Sequence, residues 1–293
     1  MNEFFNAVGL DGYKLNNLYE VIRQVEEYPD TQIEARDDSG NNEERKIELT
    51  RYFTENSGIK ERGFVSNQGE FVRQEIFPFI ESYRKALDDD IEIIELKNQP
   101  ACLAKTDLPQ IGCTLFSYIQ NLYEISDGSI MNEETKILYE GISLTGLSNS
   151  GMVLLPRGEN KDNKELDGIE ARRRRIKNKI ISGNDDAYEE LTLTEMEIYS
   201  KIDKRVRNDG VYGIVQNTLM PKGIEEDLYF VIATIEDCRE IQIGFSGQTV
   251  YQLDLNCCGI NFLISINRSN LLGVPEEGRR FKGMVWMQSR ILT

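Results

Sequence analysis

The chain contains no histidine. That absence excludes Ser-His-Asp and Cys-His catalysis, histidine metal sites and the usual switch near physiological pH, while leaving carboxylate and lysine chemistry open. No apolar run approaches the roughly 20 residues that cross a bilayer. The N-terminus, MNEFFNAVGL, has no basic region and carries Glu3, so no signal peptide is expected. Five cysteines (Cys102, Cys113, Cys238, Cys257 and Cys258) form no C-x-x-C. An odd number without an export signal reads as free, buried thiols in a reducing, cytoplasmic compartment. Adjacent cysteines in a strand point to opposite faces, which suits no shared metal, and neither a metal nor another cofactor is expected. G-x-x-x-x-G-K-[ST] is also missing, which removes a P-loop. Positive charge is scarce: 34 Lys and Arg against 50 Asp and Glu give a net charge of −16. Broad binding to nucleic acid or anionic membranes is disfavoured, because neutralising phosphate needs clustered cations.

What the chain has in quantity is β-patterning. Tyr251, Leu253 and Leu255 alternate with polar residues, as do Ile260, Phe262, Ile264 and Ile266. A period of two puts each apolar set on one face of a half-buried strand. Tyr229 to Ile235 is a continuous apolar run, and Arg280 to Leu292 alternates through Phe281, Val285 and Met287. FSGQT and CCG supply glycines for tight reversals between them. Four such strands make an antiparallel meander or small barrel. An oligonucleotide-binding barrel would need a fifth strand, which this region does not show. Trp286, the only tryptophan, falls opposite in phase to Val285 and Met287 and is expected to pack beneath a second layer.

Earlier in the chain, Leu15, Leu18, Tyr19, Ile22 and Val25 have helical spacing and stop before Pro29. Strands are expected at Thr31 to Arg36, Ile47 to Thr54, Gly58 to Val65 and Glu70 to Ile80, with turns at DDSGNN and SNQGE. Pro78 marks an edge strand or strand end, since it cannot donate to a ladder. A short strand follows at Ile91 to Leu96. Leu115, Phe116, Ile119, Leu122 and Tyr123 describe an amphipathic helix within Leu108 to Ile125. Ile137 to Thr145 and Met152 to Leu155 read as a hairpin around GLSNSG, closed by Pro156. After a polar stretch at 158–163, two helices are expected: Leu166 to Ile181, and one starting at Thr194 with the capping box TEME, burying Met196, Tyr199, Ile202 and Val206. The expected class is α+β: a mixed α+β domain (1–157), a helical connector (158–210) forming a helix hairpin, and a β-rich C-terminal domain (211–293).

Arg172, Arg173, Arg174 and Arg175 form the most conspicuous charge run. They are a candidate phosphate, nucleic-acid or acidic-partner contact. Acids fill the first half of that helix and bases the second, however, the order the macrodipole favours, and no aromatics interleave to stack bases. Arg279, Arg280 and Lys282 in GVPEEGRRFKG form a second candidate anion site; the alternative is a tight crossing whose charges face water. GLSNSG fails the nucleophile-elbow pattern at its last position and has no partner histidine. The acids Asp88 to Asp90 with Glu92, and Asp185, Asp186, Glu189 and Glu190, lack the spacing of a known metal loop and read as solvated or helix-starting groups.

IFPFIE, GCTLFSYIQN, LTGLSNSGMVLLP, LTLTEMEIYSKIDKRV, LMPKGIEEDLY and GVPEEGRRFKGMVWMQ, in this order, resemble an uncharacterised domain-of-unknown-function family of cytoplasmic proteins from anaerobic Gram-positive bacteria. The resemblance runs over essentially the whole length and brings no catalytic residue. It implies a bacterial protein with one shared architecture. The expectation is a non-catalytic cytoplasmic protein that binds a small molecule or a protein through its β-rich part. The alternative is nucleic-acid or phosphate-ligand binding through 172–175 and 279–282.

Overall fold

The structure, a computed structural model, describes residues 3–10, 15–36, 45–88, 91–96, 101–108, 111–125, 140–154, 168–169, 172–173, 175–176, 187–209, 217–222 and 225–293. The DDSGNN turn, Pro156, the stretch 158–163, Arg174, Asp89, Asp90, Asp185 and Asp186 lie outside them. The chain forms two compact units, Met1–Val153 with Asn217–Thr293, and Leu154–Gln216.

The first unit opens with a 3-10 helix, Glu3–Val8, and helix α1, Leu15–Glu27. Strands β1 (Thr31–Arg36), β2 (Arg45–Tyr52), β3 (Ser57–Val65) and β4 (Phe71–Ile80) follow as an antiparallel sheet in sequence order. Pro78 therefore sits on an edge strand, as its missing N–H requires. Val21, Ile22 and Val25 of α1 join Ile47, Leu49 and Ile59 in one apolar cluster.

The remaining strands of this unit are β5 (Glu92–Glu95), β6 (Cys102–Leu108), β7 (Cys113–Ile119), β8 (Gly141–Leu154), β9 (Thr218–Lys222), β10 (Glu225–Gln242), β11 (Thr249–Cys257), β12 (Ile260–Asn267), β13 (Leu271–Leu272) and β14 (Arg280–Leu292). Helix α2 (Leu122–Ile125) is a single turn after β7. Five of the strands close a barrel in the order β8-β12-β11-β10-β14, with β14 pairing back onto β8. Its joints are antiparallel from β12 to β14, and β12 meets β8 in parallel. The β11–β12 reversal uses Cys258 and Gly259, both at positive φ, as a two-residue hairpin turn. Val231, Ala233, Ile235, Leu253, Leu255, Ile264, Phe281, Val285 and Met287 share one buried cluster, so side chains fill a barrel of this small strand number.

The missing fifth strand is β8, and the sequence pattern concealed it. GLSNSG is not a turn: β8 runs unbroken through it. Its glycines serve close approach instead. A Cβ on Gly146 would lie 2.3 Å from Val285 Cγ1, and one on Gly151 would lie 2.5 Å from Phe281 Cε2. The expected helix within Leu108 to Ile125 is also overturned: residues 113–119 are β7, and only Leu122–Ile125 are helical. Strand β7 is covered on both faces, and a two-sided apolar run satisfies helical spacing by accident. Strand β6, broken in pattern by Lys105 and Asp107, had no counterpart in the sequence reading.

The α+β expectation holds only as a strand-rich chain with some helix; the protein is mostly β. By contact, Met1–Val153 and Asn217–Thr293 belong to one compact unit, in which β8 shares its sheet with β12 and β14. In the second unit, the described residues between 168 and 176 are helical, with Ile169 and Ile176 buried. Helix α3, Ala187–Asp209, starts ahead of the expected Thr194. Thr194 is mid-helix, its Oγ1 donating to the Glu190 carbonyl at 2.7 Å instead of capping. Among the described side chains of this helix, Ala187, Thr194 and Ile198 are buried, while Met196 and Tyr199 are 63% and 69% exposed; Ile202 and Val206 lie outside them.

Gly146→Val is expected to destabilise the protein by about 1–3 kcal/mol or more through overpacking against Val285. Gly168→Ala, helical and with nothing within 4 Å, is expected to be neutral or stabilising. Urea unfolding of the two variants measures the contrast.

Candidate functional site

Ionisable side chains converge where the four-stranded sheet meets β7 and β14. Alternation along β3 sends Lys60 and Arg62 to one face and Ile59 and Glu61 to the other. Register then sets Arg62 between Glu48 on β2 and Glu75 on β4, an acid–base–acid ladder across three strands. Arg62 has no exposed surface and Lys60 has 1%.

Every donor of this pair is directed. Arg62 Nε donates to Glu48 Oε2 at 2.7 Å, Nη1 to Tyr118 Oη at 3.0 Å, and Nη2 to the carbonyls of Ile119 and Gln120 at 3.1 and 2.7 Å. Its guanidinium lies over the Phe77 ring at 4.7 Å and the Tyr123 ring at 5.4 Å. Tyr118 Oη in turn donates to Glu75 at 2.7 Å. Lys60 Nζ sits 3.0 Å from Glu48, 3.4 Å from Glu81 and 3.6 Å from Glu124. A buried cation without such partners would be strongly disfavoured.

Two glutamines continue the layer. Gln120 Nε2 donates to the Ile80 carbonyl at 2.8 Å and to Gln288 Oε1 at 2.7 Å, and Gln288 Nε2 donates to the Pro78 carbonyl at 2.9 Å. The carbonyls at the end of edge strand β4 are thereby tied to β14. Towards solvent, Arg290 pairs with Glu124, lies 3.5 Å from Glu81 and stacks on Tyr83 at 5.0 Å. Tyr52 donates to Glu81 at 3.1 Å.

The electrostatics follow from this geometry. Burial alone would raise the Glu48 carboxyl, but Arg62 and then Lys60 outweigh it and hold the pKa below the ordinary value. Burial raises the Tyr118 phenol, and the attraction of Arg62 does not reverse that. The Tyr123 phenol is pushed up to about 12, again chiefly by burial. Burial opposes the charge on Arg62, yet Tyr118, Glu48 and Glu75 together keep it firmly protonated. Perturbed groups gathered in one place mark candidate functional sites, and structural ion-pair networks have the same signature. Here the inner cations are enclosed and their donors are engaged, so the arrangement joins two sheets and offers its inner groups to no ligand.

The basic residues singled out by the sequence lie elsewhere. Arg172 pairs with Glu190 at 3.6 Å and Arg173 with Glu195 at 3.0 Å, inside the second unit; Arg175 is exposed. In the first unit, Arg279 pairs with Glu276 at 2.8 Å within its own turn, Arg280 is buried, and Lys282 lies over the Phe230 ring. All five cysteines are free, but Cys258 is exposed and only Cys102 and Cys257 are fully buried, against the expectation of five buried thiols. Trp286 does pack, its ring 5.7 Å from Phe4 and 5.3 Å from Tyr118, with Nε1 donating to Asp227 at 2.6 Å. Among the described residues no group of three or more Cys, Asp or Glu is placed to hold a metal ion, and no helix is long and apolar enough to cross a membrane.

The ionic layer was absent from the sequence reading because alternating charges in SGIKERGFV look like a solvated strand face. Opposite charges at matching register on three consecutive strands are the signal that would have found it.

Breaking the layer is expected to be costly. Lys60→Met should destabilise the protein by about 3–5 kcal/mol, since it strands buried carboxylates. Glu48 should also govern acid stability. A carboxyl held below its unfolded value contributes stability above that value of about 4.3 and loses it as pH falls from there through its lower native value. Urea unfolding between pH 3 and 7 is therefore expected to show a lower stability of Glu48→Gln at pH 7 and a shallower decline in acid than in the wild type.

Compared with known proteins, the chain matches over residues 5–289 the family described as "Domain of unknown function, E. rectale Gene description (DUF3881)". No curated protein and no solved structure matches it.

Proposed function

From a chain that belongs to this bacterial family of unknown function, we propose a non-catalytic protein that binds a protein partner on the surface of its barrel unit, where Tyr83 and Arg290 meet. The observation that carries the reading is Tyr83 itself. It is 67% exposed, yet it is held against a guanidinium anchored by Glu124 and Glu81 at the outer margin of a closed ionic layer. Tyrosine and arginine dominate interface energetics, and Arg290 is already held in place by Glu124 and Glu81. The filled barrel interior speaks against a ligand held inside it. The pairing of Arg172, Arg173 and Arg279 with the chain's own acids gives the phosphate-binding alternative no supporting observation. A cytoplasmic location belongs to the same proposal and is supported by five free cysteines.

Used as bait in an extract of its own host, the protein is expected to retain a discrete protein partner, and Tyr83→Ala to weaken that retention about 30-fold, the scale of an interface hot spot of about 2 kcal/mol. The exposed site predicts little change in thermal stability for this variant, within about 0.5 kcal/mol. Equal retention by wild type and Tyr83→Ala overturns the reading, as does small-molecule turnover that a folded Glu124→Gln variant abolishes.

A further inference from the structure

The face of β3 opposite the ionic layer carries one acid, Glu61, with no exposed surface. Register sets it between Leu49 on β2 and Ile76 on β4, beneath α1, whose Val21, Ile22 and Val25 share the same apolar cluster. Neither carboxylate oxygen has a well-formed hydrogen bond among the described residues, its polar contacts being the more distant Arg73 and Glu26. The charged groups facing it are Arg73 of β4, 3.5 Å away, and Glu26 of α1, to which the same Arg73 Nη1 donates at 3.1 Å. A β-bulge places Arg73 there. Arg62 pairs with Glu75 but Gly63 pairs with Arg73, so the extra residue Gln74 returns Arg73 to the α1 face. Arg23 and Glu27 of α1 pair with each other and are exposed. Two acids thus share one guanidinium, and the inner acid is set among the apolar side chains of Leu49, Ile76 and α1.

We propose that Glu61, Arg73 and Glu26 form a proton-operated clasp that seats α1 on the sheet when Glu61 is neutral and loosens it when Glu61 ionises and competes with Glu26 for Arg73. Burial pushes the Glu61 carboxyl up to about 7, with Arg73 opposing and Glu26 reinforcing the rise. The sign is fixed by linkage. Between the unfolded value of about 4.3 and the raised native one, the seated state binds the extra proton, so α1 becomes easier to release as pH rises through that window. Above the window the effect levels off.

Hydrogen exchange of α1 amides, corrected for intrinsic rates, tests this in the full chain. Wild-type protection of residues 19–27 is expected to fall up to about tenfold per pH unit between pH 5 and 7 and to stay level above pH 8. Glu61→Gln should abolish the dependence. Glu26→Gln, which leaves Arg73 to Glu61 alone, should shift the fall to lower pH. A pH-independent wild type, an unchanged fall in Glu61→Gln, or an unmoved window in Glu26→Gln each overturns the clasp; the last arm stands even if Glu61→Gln does not fold.

Discussion

The contact between Glu48, Lys60 and Arg62 is the constraint on which the first unit depends. Two sheets ordinarily meet through apolar faces, whereas here the sheet of β1–β4 meets β7 and β14 through buried charges and amides. Such a layer gains little over well-packed apolar residues in net free energy, because desolvation offsets most of the attraction. What it imposes is register. Arg62 directs three nitrogens to a carboxylate, a phenol and two carbonyls, so a shift of one residue would turn all of them to the wrong face. Apolar contacts around it, such as Phe77 on Tyr118, tolerate sliding that the charges do not.

Strand β3 thereby performs two tasks with one alternation. Its Lys60–Arg62 side locks the barrel in place, and its Ile59–Glu61 side receives α1. The inward-facing cations are fully paired, while Glu61, the inward acid on the helix side of β3, shares Arg73 with Glu26. A bulge in β4 separates the two regimes by keeping Glu75 on one face and Arg73 on the other. Rigidity and adjustability are thus set a few ångströms apart by the parity of neighbouring residues.

Much of the fold was legible where one rule governed a stretch. The alternating segments around Tyr251, Ile264 and Val285 are strands because period two, turn glycines and burial agree, and α1 ends ahead of Pro29 for equally local reasons. Segments buried on both faces misled. Leu115 to Ile119 satisfied two periodicities, and Gly146 and Gly151 resembled turn residues because their real role, admitting Val285 and Phe281, belongs to a strand far along the chain. The capping-box reading of Thr194 failed similarly, since the same hydroxyl can back-bond within a continuing helix. The ionic layer was the least visible of all. Whether Lys60 and Arg62 meet water or a second sheet is decided by β7 and β14, and nothing local to β3 records it.

The barrel closes between β8 and β14, and β14 follows the other four barrel strands in sequence. During synthesis β8, β10, β11 and β12 therefore precede the strand that closes them, and the barrel stays open until β14 has emerged. For that interval the hydrogen-bonding edges of β8 and β10 have no β14 beside them, and the apolar interior around Val231 and Ile264 is uncovered on one side. The unclosed barrel is thus open to edge-to-edge aggregation in the interval before β14 is made, and that strand removes the exposure.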